Sequence, residues 1–190
     1  MKKKIAAFIV ILCFSMSIVQ IFADTTYTVR YGDTMWRIAQ KHQVGISEII
    51  SKNPQIKNPS LIYPGQKITI PSTTAINALE NEVIRLTNIE RSKRGLAALK
   101  ANWQLSRCAR YKSQDMINRN YFAHQSPTYG SPFDMIESFG ISMAAGGENI
   151  AMGQRTPEEV VRSWMNSPGH RGNILSTAFT EIGVGVAKSK

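Results

Sequence analysis

Two histidines and one glutamate in the C-terminal half of this sequence are the residues best suited to chemistry: His124, Glu148 and His170. Each stands close to proline or glycine residues, which favour turns. Side chains on turns beside regular elements can converge on one cleft. Two imidazoles and a carboxylate are also a ligand set that zinc accepts. The spacing therefore allows a metal site, and it allows equally well that each residue is an ordinary capping or hydrogen-bonding side chain.

The bulk composition is that of a globular protein with a basic surface. The chain has 190 residues, of which 43% are hydrophobic, so it can bury one medium-sized core or two small ones. Its formal net charge is +10, and it falls to +7 without the three lysines at positions 2–4. Such a charge favours an anionic partner such as a cell-wall polymer. Dense runs of lysine and arginine with interleaved aromatic residues are lacking, so nucleic acid is not a predicted partner.

Residues 1–23 have the pattern of a secretory signal peptide. Lysines precede an apolar run at residues 5–21, and Ala23 offers a small residue for cleavage. The apolar run approaches membrane-spanning length, so an uncleaved anchor is the alternative. We expect cleavage, secretion and no transmembrane anchor in the mature chain. Cleavage also removes Cys13, which leaves Cys108 alone and excludes an intramolecular disulfide.

Residues 24–71 form the first predicted folded unit. Short strand-like stretches lie at its two ends, and apolar patterns of helical period lie between them. The predicted elements are a strand at Tyr27–Val29, a helix capped by Asp33 or Thr34, a helix capped by Ser47, and a strand at Lys67–Ile70. This βααβ order predicts two antiparallel strands with both helices covering one face.

This unit resembles the LysM domain, a small βααβ carbohydrate-binding module. The residues that carry the resemblance are Tyr27-Thr28-Val29, Gly32-Asp33-Thr34, Trp36, Ile38-Ala39, Asn53-Pro54 and Ile62-Tyr63-Pro64-Gly65-Gln66. The resemblance implies binding of N-acetylglucosamine in peptidoglycan or a chitin-like glycan through two loops. The glycan-binding residues that it implies here are Gly32, Asp33, Thr34, Met35, Ser60, Leu61 and Ile62. The alternative for Met35, Leu61 and Ile62 is a place in the core.

A short polar segment at residues 72–77 is the predicted linker to a second domain at residues 78–190. The predicted helices of that domain begin at Leu79, Leu105, Phe133 and, with Thr156 as its cap, Pro157, and the predicted strands are Glu148–Met152 and Glu181–Ala187. On the helix from Leu105 to Asn118, the predicted inner face is formed by Leu105, Ala109 and Met116, with the arginines and lysines outside.

The second domain resembles the bacterial branch of the CAP superfamily, named for cysteine-rich secretory proteins, antigen 5 and pathogenesis-related proteins. The motifs that carry the resemblance are Asn88 with Glu90-Arg91, Asn120-Tyr121-Phe122-Ala123-His124, Gly147-Glu148-Asn149-Ile150-Ala151, and the run from Trp164 to Arg171. The resemblance implies an α-β-α sandwich around a small antiparallel sheet, with a central cleft that holds His124, Glu148 and His170. The predicted fold class of the whole chain is therefore α+β.

Two departures from the CAP pattern bear on these expectations. The resemblance implies a second cleft glutamate at the position of Ser167, and its loss should weaken cation binding. The resemblance also implies a further strand after the predicted strand at Glu181–Ala187. Without that final strand, an edge of the sheet would be left unpaired unless a partner supplies the strand.

Three functions compete for this combination of domains. The first, which we favour, is a non-enzymatic protein that LysM holds on the cell wall or spore envelope and whose CAP cleft binds a protein, lipid or glycan. The second is a zinc-dependent hydrolase, in which His124 and His170 hold Zn²⁺ and Glu148 is a ligand or the catalytic general base. The third is a serine hydrolase based on Ser126 or Ser167. We favour binding because the cleft lacks one carboxylate and the sequence shows no nucleophile motif.

Overall fold

A computed structural model describes residues 5–14, 23–72 and 74–188. Its elements, in chain order, are β1 (Ile5–Phe14), β2 (Thr25–Thr28), α1 (Met35–His42), α2 (Ile46–Lys52), β3 (Lys67–Ile70), α3 (Thr74–Ser92), β4 (Lys100–Ala101), α4 (Trp103–Asn118), α5 (Pro132–Ser138), β5 (Met143–Met152), α6 (Pro157–Asn166), α7 (Pro168–Leu175) and β6 (Glu181–Lys188). Of the predicted signal peptide, residues 1–4 and 15–22 lie outside the described residues. Within the described ranges, no helix combines the length and the apolar character needed to cross a membrane.

The smaller of two compact units spans residues 19–75 and contains β2, α1, α2 and β3 in the predicted order. Strands β2 and β3 pair antiparallel, as predicted. The buried amide of Asn53 joins α2 to this pair, because its Nδ2 donates to the carbonyl oxygens of Ile49 and Thr69, at 2.7 Å each. A buried amide with its partners satisfied fixes the position of the helix against the strand.

The predicted cap of α1 is confirmed, and the predicted cap of α2 is wrong. Thr34 Oγ1 accepts a hydrogen bond from the backbone N–H three residues later, at 3.2 Å. Helix α2 begins directly after Gly45, two residues before the predicted cap Ser47. The Glu48 carboxylate accepts a hydrogen bond from the N–H of Gly45. An acidic residue in the first turn therefore starts this helix where a hydroxyl was expected.

The larger unit, residues 1–18 with 76–190, is built on a four-stranded sheet in the order β4-β6-β1-β5. Strand β1 pairs in parallel with β5 on one side and with β6 on the other. Strands β5 and β6 are joined through α6 and α7, which is the kind of crossover connection that parallel strands require. The antiparallel sheet implied by the CAP resemblance is therefore wrong for these pairings.

Strand β6 has neighbours on both sides. It pairs with β1 from residue 181 to residue 188, and with the short β4 at its first two residues. Strand β1 therefore pairs this edge in the described chain, and the expectation of an unpaired edge stays a prediction for the chain after the predicted cleavage. Residues 5–14 thus carry the apolar composition of an export signal and also form an inner strand of this sheet.

Helix side chains bond to the backbone of the sheet. On β5, the carbonyl oxygen of Ile150 accepts from Nε1 of the buried Trp164, at 3.1 Å. On β6, the N–H of Val184 donates to Oγ of Ser106, at 3.1 Å. These bonds satisfy buried strand groups and attach α6 and α4 to the strands that they cover.

Helix α4 packs closely on β6. A Cβ atom placed on Gly185 would lie 2.1 Å from the backbone carbon of Ala109, and one on Gly183 would lie 2.3 Å from that of Leu105. Both distances are far shorter than any van der Waals contact. The two glycines are therefore required because the helix backbone occupies the space that a side chain would need.

Helix α3 begins at Thr74, so residues 74–77 of the predicted linker at 72–77 are helical. At the other end of α3, the buried Arg91 donates to the carbonyl oxygens of Ala97 and Ile174, at 2.8 Å each. Arg91 of the CAP motif therefore joins α3 to the loop that follows it and to the end of α7.

We expect Gly185→Ala to destabilise the protein by about 3 kcal/mol, because the added methyl group forces α4 away from β6. Gly172→Ala is the matched control, since a Cβ at Gly172 in α7 would meet no atom within 4 Å. That change should be neutral or stabilise by about 0.5–1 kcal/mol through helix propensity. Urea denaturation of both variants measures the difference, and equal effects would contradict the close approach of α4.

Candidate functional site

The loop that carries His124 is held by one buried carboxylate of α4. Asp115 accepts hydrogen bonds from the hydroxyl groups of Tyr121 (2.6 Å), Ser126 (2.8 Å) and Thr128 (2.6 Å). These donors lie on both sides of His124 in the chain. The loop therefore closes around Asp115, and His124 is presented at a fixed place near the end of α4.

The environment of Asp115 favours its ionised form. Burial alone would raise the pKa of this carboxyl, but the hydrogen bonds from Thr128, Tyr121 and Ser126 and the charge of Arg119 outweigh burial and lower the pKa below its usual value of 3.8. The loop therefore depends on a carboxylate that is fully ionised at neutral pH.

His124 and Glu148, two of the three predicted cleft residues, are in direct contact. His124 Nδ1 lies 2.5 Å from Glu148 Oε1. The Glu148 side chain is 4% exposed on β5, whereas the His124 side chain is 55% exposed. Burial raises the pKa of Glu148, and the hydrogen bond from His124 and the charge of Lys112 oppose that rise. A buried carboxylate thus orients an imidazole whose other edge is open to ligands.

His170, the third predicted cleft residue, is placed near this pair by two asparagines. Asn149, next to Glu148 on β5, donates from Nδ2 to the carbonyl oxygen of His170 at 3.1 Å. Asn173 in turn donates to Asn149 Oδ1 at 2.9 Å. Burial, and then the charge of His124, lower the pKa of His170. The three residues therefore share one region, as the CAP resemblance implies.

His170 lies within α7 and not in the turn that the sequence suggested. Pro168 and Gly169 precede it, and they were interpreted as turn residues. Pro168 instead occupies the first position of the helix, where proline is tolerated because its missing N–H has no helical partner there. The helix gives His170 a defined orientation that a turn would not.

Lys112 is a cation inside this region that sequence reasoning missed. Its side chain is almost fully buried, with 1% of the residue exposed, and Nζ donates to the carbonyl oxygen of His124. The ring centroid of Tyr121 lies 5.7 Å from the same nitrogen. Burial lowers the pKa of Lys112, while the charges of Glu148 and Asp115 oppose the change.

The prediction that the lysines of this helix face outward is wrong for Lys112. Ala109 lies four positions after Leu105, and Met116 lies seven positions after Ala109. Lys112 falls between them, three positions after Ala109 and four before Met116, so it shares their helical face. That spacing was the signal that could have placed Lys112 on the buried face.

The arrangement does not match a zinc centre. Among the described residues, no group of three or more His, Cys, Asp or Glu side chains is placed to hold a metal ion. Glu148 Oε1 is engaged by His124, and the ammonium group of Lys112 already supplies positive charge to the same carboxylate. We therefore derive no chemistry through a metal, and zinc binding stays a prediction.

The environments of Ser126 and Cys108 do not activate them as nucleophiles. Ser126 is buried; its hydroxyl donates to Asp115 and accepts from the N–H of Tyr129 at 3.0 Å, so it serves the turn. Ser167 lies at the junction of α6 and α7. Burial, and then the charge of Glu148, raise the pKa of the Cys108 thiol to about 12, so this thiol is protonated at neutral pH. These environments give no support to a serine or cysteine hydrolase.

In the smaller unit, strand pairing brings the two predicted glycan loops together. The first, predicted at residues 32–35, lies in loop 30–34 after β2 and at the first residue of α1. The second, predicted at residues 58–62, lies in loop 57–65 before β3. The N–H of Val29 donates to the carbonyl oxygen of Gln66 at 2.9 Å, and the N–H of Gly65 donates to that of Val29 at 2.8 Å. Because antiparallel strands place the end of one beside the start of the other, the loops emerge next to each other.

The predicted glycan residues have different roles within these loops. Asp33 fastens the first loop by accepting from the hydroxyl of Tyr27 and the N–H of Arg30, at 2.7 Å each. Gly32 has a φ of 82°, a conformation that favours glycine, and Thr34 caps α1. In the second loop, the N–H of Ser60 donates to the side chain of Asn58, at 3.0 Å.

Three predicted apolar contacts divide between the core and the surface. Met35 is buried in the core, and Ile62 packs partly against it, so the core alternative describes these two residues. Leu61 is 52% exposed, so the core alternative is wrong for Leu61.

Three exposed aromatic residues near these loops were not singled out by the sequence as binding residues. Tyr31, Trp36 and Tyr63 are 95%, 50% and 59% exposed. Tyr31 lies in the first loop, Trp36 near the start of α1, and Tyr63 in the second loop. Large apolar side chains exposed together on a small domain mark a surface that binds something. The sequence alone does not show that these aromatic residues lie near both loops, because strand pairing brings the loops together.

The sequence matches the profile of the family described as "CAP: Cysteine-rich secretory protein family" over residues 84–190, and that of the LysM domain over residues 27–71. The first match covers more than half of the chain. The chain therefore belongs to the CAP, or cysteine-rich secretory protein, family and carries a LysM domain before its CAP domain. Both resemblances drawn from the sequence are confirmed, as is the mixed α and β fold class.

Several similar proteins come from Bacillus species. The chain is 60% identical to "Uncharacterized protein YkwD" of Bacillus subtilis (strain 168) over 121 residues, which cover 64% of this chain and 47% of YkwD. It is 46% identical over 46 residues to the spore coat assembly protein ExsA of Bacillus cereus, which covers 24% of this chain and 7% of ExsA. The crystal structure of an extracellular protein containing an SCP domain from Bacillus anthracis str. Ames superposes with a TM-score of 0.58 at 34% identity, covering 65% of this chain and 44% of that one. This chain spans less than half the length of these relatives.

We expect Asp115→Asn to destabilise the protein by about 2–3 kcal/mol at pH 7, because the amide cannot accept the same three hydroxyl donors. Since the folded-state pKa of Asp115 lies below the usual 3.8, its contribution is complete above that pH and is lost as the pH falls through the folded-state pKa. The difference from wild type should therefore be constant between about pH 7 and pH 5 and shrink below about pH 4. Thermal unfolding across this range tests it, with the exposed Glu137→Gln as control; a gap that widens in acid would contradict the role of Asp115.

Proposed function

We propose that this protein is a secreted, non-enzymatic binding protein of the cell wall or spore envelope. Its LysM domain binds glycan that contains N-acetylglucosamine, and its CAP domain presents a cleft to a protein, lipid or glycan ligand. The observation that carries the proposal is the pair of neighbouring loops with exposed apolar side chains at the β2–β3 junction. Rigid scaffolds commonly carry their binding residues on such loops.

The loop pair has the chemistry that an N-acetyl sugar needs. Exposed rings and aliphatic side chains, such as Tyr63 and Leu61, offer apolar surface for the sugar face and the acetyl methyl group. Asp33 and Asn58 each bond to the backbone of their own loop, which fixes its shape before a ligand arrives. Preorganised loops lose little conformational entropy on binding, and this favours affinity from a small surface.

The CAP cleft supports binding more than catalysis. Its exposed imidazole, His124, is oriented by a buried carboxylate and can form hydrogen bonds with a ligand. Ser126 is engaged in the turn, and the Cys108 thiol is protonated at neutral pH, so these two nucleophile candidates are unavailable. A cleft with a positioned donor or acceptor and without an activated nucleophile fits recognition.

Location at the wall or spore is supported by charge and by relatives. The chain keeps a net charge of +7 without the three lysines of the predicted signal peptide, and this charge favours anionic wall polymers. Residues 1–23 have the pattern of a signal peptide, which implies secretion. The similarity to ExsA, a spore coat assembly protein by name, favours the spore envelope as one of the surfaces to test.

We expect the full chain to be retained on insoluble peptidoglycan and on chitin, and Leu61→Ala to weaken binding to N-acetylglucosamine oligomers by about 5-fold, which is ~1 kcal/mol. The matched control is Met152→Ala, which truncates another exposed apolar residue, on β5 of the other unit. Isothermal titration with the oligomers measures both. Equal affinity for the two variants, or no retention of wild type, would contradict glycan binding at the loops.

The alternative is a zinc-dependent hydrolase that acts on the wall through the CAP cleft. The observation in its favour is the contact between His124 and Glu148, since a buried carboxylate with a raised pKa beside an imidazole can serve as a general base.

Digestion of purified wall material separates the two functions. We expect no release of soluble fragments by the wild-type protein, with or without added zinc, because the CAP cleft lacks an activated nucleophile and a three-ligand metal site within the described residues. Release that disappears in Glu148→Gln, while the variant keeps its fold by circular dichroism, would establish the hydrolase and overturn the binding role of the cleft.

A further inference from the structure

We propose that Lys112 is the resident cation of the CAP cleft and excludes divalent metal ions from the site formed by His124 and Glu148. This inference deepens the proposed non-enzymatic role of the cleft and rests on it. The CAP resemblance implies a cation held between histidines and carboxylates. In this chain, an ammonium group from α4 provides positive charge to the buried carboxylate instead.

The position of Lys112 leaves its ammonium group no route away from the cleft. The residue is 1% exposed, and its Nζ donates to the carbonyl oxygen of His124, the residue that contacts Glu148. One turn further along α4, Asp115 fixes the same loop through three hydroxyl groups. The helix itself is fixed on β6 by the glycine contacts. A metal ion that bound beside His124 would therefore meet this charge unless the contact of Lys112 with the His124 carbonyl broke.

The remaining charges do not compensate a second cation. Glu148 is the buried carboxylate of the cleft, and the charge of Lys112 acts on it. Ser167 stands where the CAP pattern has a second glutamate, and its side chain carries no charge. A divalent ion beside His124 would therefore meet the ammonium group of Lys112, which has like charge, while the second buried carboxylate, Asp115, is already engaged by three hydroxyl groups and Arg119.

Three substitutions at Lys112 distinguish the effect of its charge from the effect of its size and hydrogen bonding. Lys112→Gln removes the charge and keeps an N–H donor for the His124 carbonyl, Lys112→Arg keeps the charge, and Lys112→Met keeps the length of the side chain without charge or donor. Each is made in the full chain and titrated with zinc chloride by calorimetry, and its folding is checked by thermal unfolding. His124→Ala in the Lys112→Gln background tells whether added zinc is held in the cleft.

We expect Lys112→Gln to bind zinc at least about 10-fold more tightly than wild type, with the gain lost on His124→Ala, and Lys112→Arg to show no gain. Wild-type zinc binding through His124 that equals that of Lys112→Gln would overturn the inference, as would a folded Lys112→Gln and Lys112→Met that gain nothing. Retention on peptidoglycan is measured on the same variants and should not change. If the wild-type protein is not retained on peptidoglycan, the proposed glycan function fails, whatever the zinc titrations show.

Discussion

Helix α4 and strand β6 touch backbone to backbone, because positions 183 and 185 have no side chains. This close approach fixes where α4 can project its buried polar residues. Lys112 then reaches the carbonyl oxygen of His124, and Asp115 gathers the hydroxyl groups of the loop that carries His124. The geometry of the cleft thus depends on how closely α4 packs against β6. A wider spacing between α4 and β6 would move both polar groups relative to β5, where Glu148 lies.

The sequence predicted the local structure well wherever one residue decides it. The cap of α1, the strand order of the LysM unit and the proline start of α6 follow from short patterns that act within one turn. Helix α7 was missed because Pro168 and Gly169 are typical of turns as well as of helix starts. Strand β1 could not be foreseen, since its partners β5 and β6 lie more than a hundred residues away and pairing over such distances leaves no local signal.

The sequence predicted which residues the CAP motifs contribute to the cleft, but it did not predict the buried cation among them. The motifs of the CAP resemblance indicated His124, Glu148 and His170, and the structure brings these residues into one region. Lys112 was assigned to the surface because lysines on an amphipathic helix are usually solvated. Its spacing from Leu105, Ala109 and Met116 placed it on the inner face, but that signal conflicts with its residue type. A buried lysine is costly unless it is paired, so this conflict itself marks a functional or structural polar site.

The LysM loops and the CAP cleft present different kinds of surface. The LysM loops expose apolar side chains on a rigid strand pair, which suits adhesion to a repeating insoluble polymer. The CAP cleft buries its charges and exposes one oriented imidazole, which suits selective contact with a ligand. A module held on a polymer meets neighbouring ligands at a high effective concentration, so the cleft needs only modest affinity of its own. In the proposed function, a charge-balanced cleft on a chain that LysM holds on the wall needs no metal ion to strengthen its contact with a ligand.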